Sequence, residues 1–211
     1  MSITNGYAPI EAIAAAFSIN DPLDNPDLEA AVETASRQID AHCGRGRKFW
    51  QDSTVVTRVY FPNDARTLTV DDISTLTGLV VKVDDDDDGT FETTLTINTD
   101  FIVLPVNAAA EHPVQPWTQI RLLDGALTGW SSLSSGRPYV QVTAKFGWSA
   151  IPTAVKRACL IQARNVFKAQ DATFGAFQLS IDGQIRNVPA IDPTARAQLE
   201  PFVRYDEIND G

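Results

Sequence analysis

The chain has 211 residues, enough for one domain or two small ones, and its 44% hydrophobic and 9% aromatic content is typical of a globular protein. The formal charge of −10 argues against non-specific binding to nucleic acid or to an anionic membrane, because both require clustered Lys and Arg. No apolar run approaches the roughly 20 residues of a membrane span, and no basic residue precedes Arg37 as a secretory signal would require, so we expect synthesis in a reducing cytoplasm.

The first fifty residues predict two helices. Residues 9–17 have apolar side chains at helical spacing behind a proline that suits a first turn. A second helix begins at Asn25 as the N-cap, with Pro26 as the first helical residue, where the missing N–H has no cost. Gly44 ends this helix as a left-handed cap.

Between residues 53 and 148 the β-branched residues dominate, which predicts strands. We expect a turn after Val70, at Asp71–Asp72, because adjacent acidic residues favour turns. The segments 105–117 and 124–138 are rich in Pro or in Gly and Ser and are interpreted as loops. The predicted strands lie near residues 55–59, 67–70, 79–83, 91–97, 101–104, 118–123 and 139–146.

Residues 153–169 carry the longest helix signal, without Gly or Pro, and follow Pro152 in a first turn. Their apolar residues cover about half of the helix circumference, which indicates contacts on several sides. Farther along, Asp182–Gly183 predicts a small hairpin or an extended arm, and Asp192 caps a last short helix. The basic residues of the long helix fall together on its other side: Arg157, Arg164 and Lys168.

The order of helices, then strands, then helices predicts an α+β fold. We predict a small helical bundle formed by the N- and C-terminal segments, residues 1–50 and 149–211. A large antiparallel β domain, residues 51–148, is inserted between them. This arrangement requires the helices at 25–44 and 152–170 to pack against each other.

The most conspicuous charged run is Asp84–Asp88 followed by Gly89, which imitates the first half of a calcium-binding loop. The match fails afterwards, because position twelve holds Leu95 and Glu92 comes too early. We interpret the run as a solvated hairpin turn that discourages pairing at the edge of the sheet. We therefore expect no calcium-dependent change in folding.

No catalytic, metal or cofactor site is predicted. His42 and Cys43 are neighbours in a helix and point about 100° apart, so they do not form a nucleophile pair. The second histidine, His112, lies in a loop, and one His–Cys pair is a poor zinc site. Cys43 and Cys159 lie on apolar helix faces and are interpreted as buried free thiols. We predict a protein that is not an enzyme.

The basic segment at residues 45–50 joins three cations to two aromatic side chains, a composition enriched at protein interfaces. Alternatively, the stems of the cationic side chains lie along apolar surface with their charged ends in water, and the aromatic side chains pack at a junction of helix and sheet. In an acidic protein, a basic patch suits docking to an acidic neighbour, including the next copy of the chain. The candidate residues for a subunit or portal interface are Arg45, Arg47, Lys48, Phe49, Trp50, Arg157, Arg164, Lys168, Phe174, Phe177 and Phe202.

Several short motifs occur in order along most of the chain. They are Cys43-Gly44-Arg45 with Phe49, then Val70-Asp71-Asp72-Ile73, then Leu104-Pro105 with Asn107-Ala108, and finally Phe146-Gly147-Trp148 with Ile151-Pro152 and a helix containing Val155, Lys156 and Ala158. As an ordered set they resemble the head-to-tail connector proteins, or adaptors, of tailed bacteriophages.

This resemblance implies a structural virion protein of the phage neck that is assembled in the host cytoplasm. It implies a homo-oligomeric, twelve-fold ring that docks on the portal, continues its channel, and meets a stopper or another tail-proximal neck protein. DNA would pass through without specific binding, and no membrane is involved. The arm beyond Phe174 would reach the portal or a neighbouring subunit. The smaller, helical family members lack the large β insertion, so the direction and partner of this insertion stay open.

Two other functions are compatible with the sequence. The β region could be a ligand- or carbohydrate-binding module on a helical base, with Trp117, Trp130 and Trp148 as stacking surfaces. An acidic hydrolase is the least supported, because no catalytic constellation is present.

Overall fold

The fold is described from a computed structural model of the chain. The chain forms two compact units, Met1–Phe49 with Ile151–Gly211 and Trp50–Ala150. The predicted α+β class is confirmed, since helices occur at both ends of the chain and an antiparallel six-stranded sheet occurs in its middle. The described residues are 5–17, 25–44, 47–62, 64–86, 88–125, 139–171 and 191–204.

The helical unit is built from both ends of the chain. Its helices are α1 (Ile10–Phe17), α2 (Asn25–Cys43), α3 (Thr153–Asp171) and α4 (Pro193–Leu199), and a 3-10 turn at Glu200–Phe202 follows α4. The two long helices α2 and α3 pack against each other, α1 packs on both, and α4 packs on α3. None of these helices has the length and apolar character needed to cross a membrane.

A buried amide connects three of the helices. The side chain of Gln162 on α3 is only 4% exposed. Its Nε2 donates to Oε1 of Gln38 on α2 at 2.6 Å, and its Oε1 accepts from the backbone N–H of Asp192, the N-cap of α4, at 2.9 Å. Because a buried amide is stable only when it is hydrogen-bonded, this residue fixes the positions of α2 and α4 on α3.

Gly44 ends α2 with a φ of +122°, in agreement with the predicted cap. Directly before it, the carbonyl of Cys43 accepts from the backbone N–H of Arg204 at 2.8 Å. A Cβ on Gly44 would lie 2.9 Å from the carbonyl oxygen of Arg204, so glycine is also required for this close approach. The end of α2 is thereby attached to the segment that follows α4.

Tyr7 attaches the N-terminal segment to α2. Its hydroxyl donates to the carboxylate of Asp40 and accepts from the backbone N–H of Phe49 at 2.9 Å. Arg37 forms an ion pair with the same carboxylate at 3.0 Å. Burial raises the pKa of Asp40 to about 6, although the hydrogen bond from Tyr7 and the charge of Arg37 both act to lower this pKa.

The second unit is a sheet with one buried face. Its strands are β1 (Val56–Tyr60), β2 (Thr67–Val83), β3 (Thr93–Leu95), β4 (Phe101–Leu104), β5 (Trp117–Leu122) and β6 (Val140–Phe146). The strand order is β1-β6-β2-β5-β4, β3 pairs with β2, and all pairs are antiparallel. The core of the unit includes Leu68, Val81, Phe101, Ile120 and Val142.

The strand β2 corrects one expectation, because the predicted turn after Val70 is absent and the chain continues as a strand from Thr67 to Val83. Its first part pairs with β5, and its second part pairs with β6 and β3. Register shifts occur between Thr69 and Ile73 and again between Thr75 and Val80. These irregularities let one strand change partners without ending.

The two aspartates of the expected turn instead have partners on other segments. Asp71 accepts from the guanidinium of Arg58 on β1. Asp72 is 2% exposed and accepts from Nε1 of Trp148 at 3.0 Å. Successive residues of a strand point to opposite faces, so each carboxylate meets a different environment.

The predicted strands near 55–59, 101–104, 118–123 and 139–146 correspond to β1, β4, β5 and β6. The loop at 105–117 includes a single 3-10 turn at Ala108–Ala110. The predicted hairpin around Asp182–Gly183 and residues 126–138 of the second loop lie outside the described residues.

The substitution Gly147→Ala should strongly destabilise the sheet unit. Gly147 has a φ of +103°, and a Cβ there would lie 1.8 Å from the carbonyl oxygen of Trp50. The left-handed conformation alone costs an alanine roughly 1–2 kcal/mol, and the clash adds to this cost. Gly125→Ala is the matched control, because Gly125 has a φ of +91° and nothing within 4 Å of its Cβ position. Equal losses of unfolding free energy in urea for the two variants would contradict the expectation.

The substitution Asp40→Asn should flatten the pH dependence of stability between about pH 4 and pH 7. The pKa of Asp40 is raised from 3.8 to about 6 on folding, so the folded state binds this proton more tightly than the unfolded state. Asp40 therefore contributes stability at low pH, and this contribution is lost as the pH rises through 6. The free energy of unfolding in urea, measured across this pH range, checks the result. Asp27→Asn removes an exposed carboxylate from the same helix and serves as the control.

Candidate interface surfaces

The basic segment at 45–50 is partly built into the helical unit. Arg45 lies outside the described residues. Nη1 of Arg47 donates to the carbonyl oxygen of Phe202 at 2.7 Å, and its guanidinium lies 5.8 Å from the centroid of the Phe49 ring. Lys48 is half-buried. Arg47 therefore attaches the segment that follows α4 to the rest of its own unit. It is also a candidate for contact with a neighbouring subunit.

Phe49 and Phe202 belong to the core of the helical unit. They are 0% and 6% exposed, and their rings meet edge to face with centroids 5.8 Å apart. Tyr7 contacts the other side of Phe49, with ring centroids 5.6 Å apart. The two phenylalanine side chains are thus covered in the folded chain. Among the described residues of this segment, Arg47, Lys48 and Trp50 remain half-buried and accessible.

The basic residues of α3 form an exposed face, which we call the α3 basic face. Arg157, Arg164 and Lys168 are exposed and recur at intervals of seven and four residues, which places them on one side of the helix. Lys156 is also exposed. The only carboxylate within α3 is Asp171, at its end. The other two candidates, Phe174 and Phe177, lie outside the described residues.

The outward side of α2 forms a groove of about 470 Å³, which we call the α2 groove. Small side chains line much of it, so another surface could approach the helix backbone closely. Two exposed carboxylates lie on this helix, Asp27 in its first turn and Glu33 in the groove itself. The lining residues are Ala30, Glu33, Thr34, Arg37, Gln38 and Ala41. The groove holds one carboxylate, Glu33, and one guanidinium, Arg37, which is paired with Asp40. The helical unit therefore offers a basic surface on α3 and a small-residue surface on α2 that carries the carboxylate of Glu33.

The sheet unit has an exposed face that carries apolar side chains. Val59 pairs with Gln141, and Val80 pairs with Thr143, so these positions face away from the buried side of β6. Val59 is 49% exposed and Val80 is 38% exposed. We call this surface of β1, β6 and the second part of β2 the outer face. Its strand positions are Thr57, Val59, Val80, Lys82, Gln141, Thr143 and Lys145.

The acidic hairpin between β2 and β3 brings four carboxylates together. Oxygens of Asp84, Asp86, Asp88 and Glu92 all lie within 4.8 Å of one another. Asp84 is 1% exposed and accepts from the backbone N–H of Gly89 at 2.9 Å, whereas the other three are exposed. Within the described ranges, this is the group of side chains that could hold a metal ion. In the sequence, Glu92 comes too early for a calcium loop, but in the folded hairpin its carboxylate lies beside those of the aspartates.

The exposed tryptophan surface expected for a carbohydrate-binding module is not found at Trp148. This side chain is 1% exposed and is held by Asp72. Trp117 is half-buried against the core of the sheet unit, and Trp130 lies outside the described residues. A buried indole offers no stacking face to a sugar.

No family model and no curated protein sequence matches this chain. Its fold is similar to that of a chain from the neck of an empty gene transfer agent (GTA) particle, computed with C6 symmetry, at 14% identity and a TM-score of 0.55, covering 99% of this chain and 95% of that chain. A chain from the virion of a native GTA particle is similar at 14% identity and a TM-score of 0.54, covering 100% of this chain and 96% of that chain. At this identity the comparison establishes a shared fold across nearly the whole chain.

Calcium is expected to leave the melting temperature of the protein unchanged. Leu95, at the position where a calcium loop has its bidentate Glu, is 6% exposed in the sheet core and offers no ligand. Thermal unfolding with and without millimolar calcium, with magnesium as the ionic-strength control, tests this expectation. A rise of several degrees that disappears in the double variant Asp86→Asn, Asp88→Asn would show that the clustered carboxylates bind the ion.

Proposed function

We propose that this chain is a structural protein of the neck of a phage-like particle. Its copies form a ring that docks on the portal and connects the DNA-filled head to the tail. The observation that carries the proposal is the similarity of fold to a chain of the GTA neck, which extends over 99% of the present chain. The ordered connector-like motifs in the sequence support the same function independently, and they favour the adaptor position directly beneath the portal.

The charges of the helical unit support side-by-side association of copies. In a closed ring, one surface of each subunit meets a different surface of the next. The α3 basic face and the α2 groove are two such surfaces, and Glu33 in the groove offers a carboxylate to a basic neighbour. Small residues in the groove let a helix of the neighbour approach closely, and the surrounding charges set its orientation.

The symmetry of the related particle bears on the number of copies. A ring of six or of twelve subunits agrees with the C6 symmetry computed for the GTA neck, and we propose twelve, as the family resemblance implies. Such a ring would assemble in the host cytoplasm, remain in the virion, and meet a stopper or another tail-proximal protein on its far side.

The role that we propose requires no catalytic group or cofactor. With a formal charge of −10, the ring would let DNA pass without holding it, because binding of phosphates needs clustered cations. The carbohydrate-binding alternative is less favoured, since Trp148 is buried.

The proposal predicts that the protein, mixed with its portal, forms rings visible by negative-stain electron microscopy and native mass spectrometry. The double variant Arg157→Glu, Lys168→Glu should form at least about tenfold fewer rings, because the new carboxylates would face Glu33 in the α2 groove. The control Arg121→Glu, Arg196→Glu changes the same charge at two other exposed arginines. We avoid Arg47 here, because its side chain also bonds Phe202 within the subunit.

The two possible failures have different meanings. If the wild-type protein forms no ring with its portal, the proposed function is wrong. If the Arg157, Lys168 variant forms normal rings, the function stands and the assignment of the α3 basic face is wrong. Circular dichroism of each variant confirms that the helices are retained.

A further inference from the structure

The outer face of the sheet and the residues that flank it hold several of the large apolar side chains that are exposed in the described part of the chain. The described residues include seven exposed large hydrophobic side chains. Two of them belong to the outer face, and two more lie directly before and after β1. The largest exposed fraction among these four is 58%, at Phe61. A concentration of exposed apolar side chains on one surface marks an interaction site. The four residues are Val55, Val59, Phe61 and Val80.

The position of β1 at the edge of the sheet also supports an interaction site on the outer face. β1 is the last strand on its side of the sheet. Edge strands of natural proteins are usually covered, shortened or made polar, because they attract other strands. Here β1 carries Thr57 and Val59 outward, and the exposed residues Val55 and Phe61 directly precede and follow the strand.

The charge of the outer face defines that partner. The outward positions of β1, β6 and the second part of β2 hold two lysines, Lys82 and Lys145, and no Asp or Glu. Neither ammonium forms an ion pair with a carboxylate of the described residues. The face is therefore apolar with a positive charge, and it fits an acidic protein surface. Two lysines among valines are too few for binding to DNA phosphates.

The complementary surface occurs on the same chain. The hairpin from Asp84 to Glu92 contains six carboxylates and no Lys or Arg, and Asp85, Asp86, Asp88 and Glu92 are exposed. We propose that the acidic hairpin of one copy binds the outer face of the next copy. This inference rests on the proposed ring, in which a second copy is always present at the required concentration. The two surfaces differ, so the contact is of the head-to-tail type that closes a ring.

Charge reversal tests the contact directly. The face variant is Lys82→Glu, Lys145→Glu, and the hairpin variant changes all four exposed carboxylates to Lys, at Asp85, Asp86, Asp88 and Glu92, which reverses the net charge of the hairpin. Each variant should reduce ring formation with the portal by about tenfold, because like charges would meet. An equimolar mixture of the two variants should restore rings, because each hairpin then meets a face of opposite charge. Restored rings would contain the two variants in alternation, which native mass spectrometry resolves. Lys82→Arg with Lys145→Arg keeps the charge and should behave as the wild type.

The outcomes separate this inference from the proposed function. If wild-type rings form and each variant alone also forms them normally, the contact is wrong and the ring is not. If each variant fails and the mixture also fails, the two surfaces do not meet, and the inference is again overturned. If the face variant forms normal rings and loses binding to another neck protein instead, the face belongs to that partner. Restoration by mixing also shows that both variants fold. A wild-type protein that forms no ring overturns the function and this inference together.

Discussion

The packing of α2 against α3 is the interaction on which the helical unit depends. It joins segments separated by about a hundred residues of sheet, and it makes one unit from the two ends of the chain. Fully buried alanines on both helices, Ala31 and Ala35 on α2 with Ala158 and Ala163 on α3, allow the helices to lie close together. Two polar contacts join the helices, from Gln162 Nε2 to Gln38 Oε1 and between Ser36 Oγ and Cys159 Sγ at 3.6 Å. The long sheet can therefore be inserted between α2 and α3 while these two helices remain packed together.

Both units carry exposed carboxylates on one surface and a group of basic side chains on another, although the chain as a whole carries a charge of −10. The net charge repels copies at long range, and local complementarity acts only once they are close. A protein with this distribution associates weakly with itself until something holds its copies side by side. In the function proposed here, the portal would do so. Attraction between opposite surfaces would then fix the orientation of each copy.

Much of the fold could be predicted from local residues. The helix ends at Gly44 and Asp192 were predicted, because caps act within a few residues of the backbone they satisfy, and α2 begins at Asn25 itself, one residue before the predicted first helical residue. The strand through Asp71–Asp72 could not be predicted, since the partners that stabilise it, Arg58 and Trp148, come from other segments.

The exposure of the candidate interface residues depends in part on contacts between distant segments, which local sequence does not determine. Basic residues on α3 share a face because helical spacing alone decides it. Burial of Phe49 depends on Tyr7 and Phe202, which lie far away in the sequence. The outer face arises only when β1, β6 and β2 are placed side by side in register. A pattern within one strand could not reveal it, because Val59 and Lys82 come from different strands.

The continuous strand β2 has a mechanical consequence. Its 17 residues extend over roughly 50 Å if fully extended, somewhat less with its irregularities. Neighbouring strands bond to it along most of this length, β5 near one end and β6 with β3 near the other. A force along β2 would load many of these backbone bonds in shear at once, whereas a force across the sheet would break them one after another. The unit is thus stiffest in the direction of its longest strand.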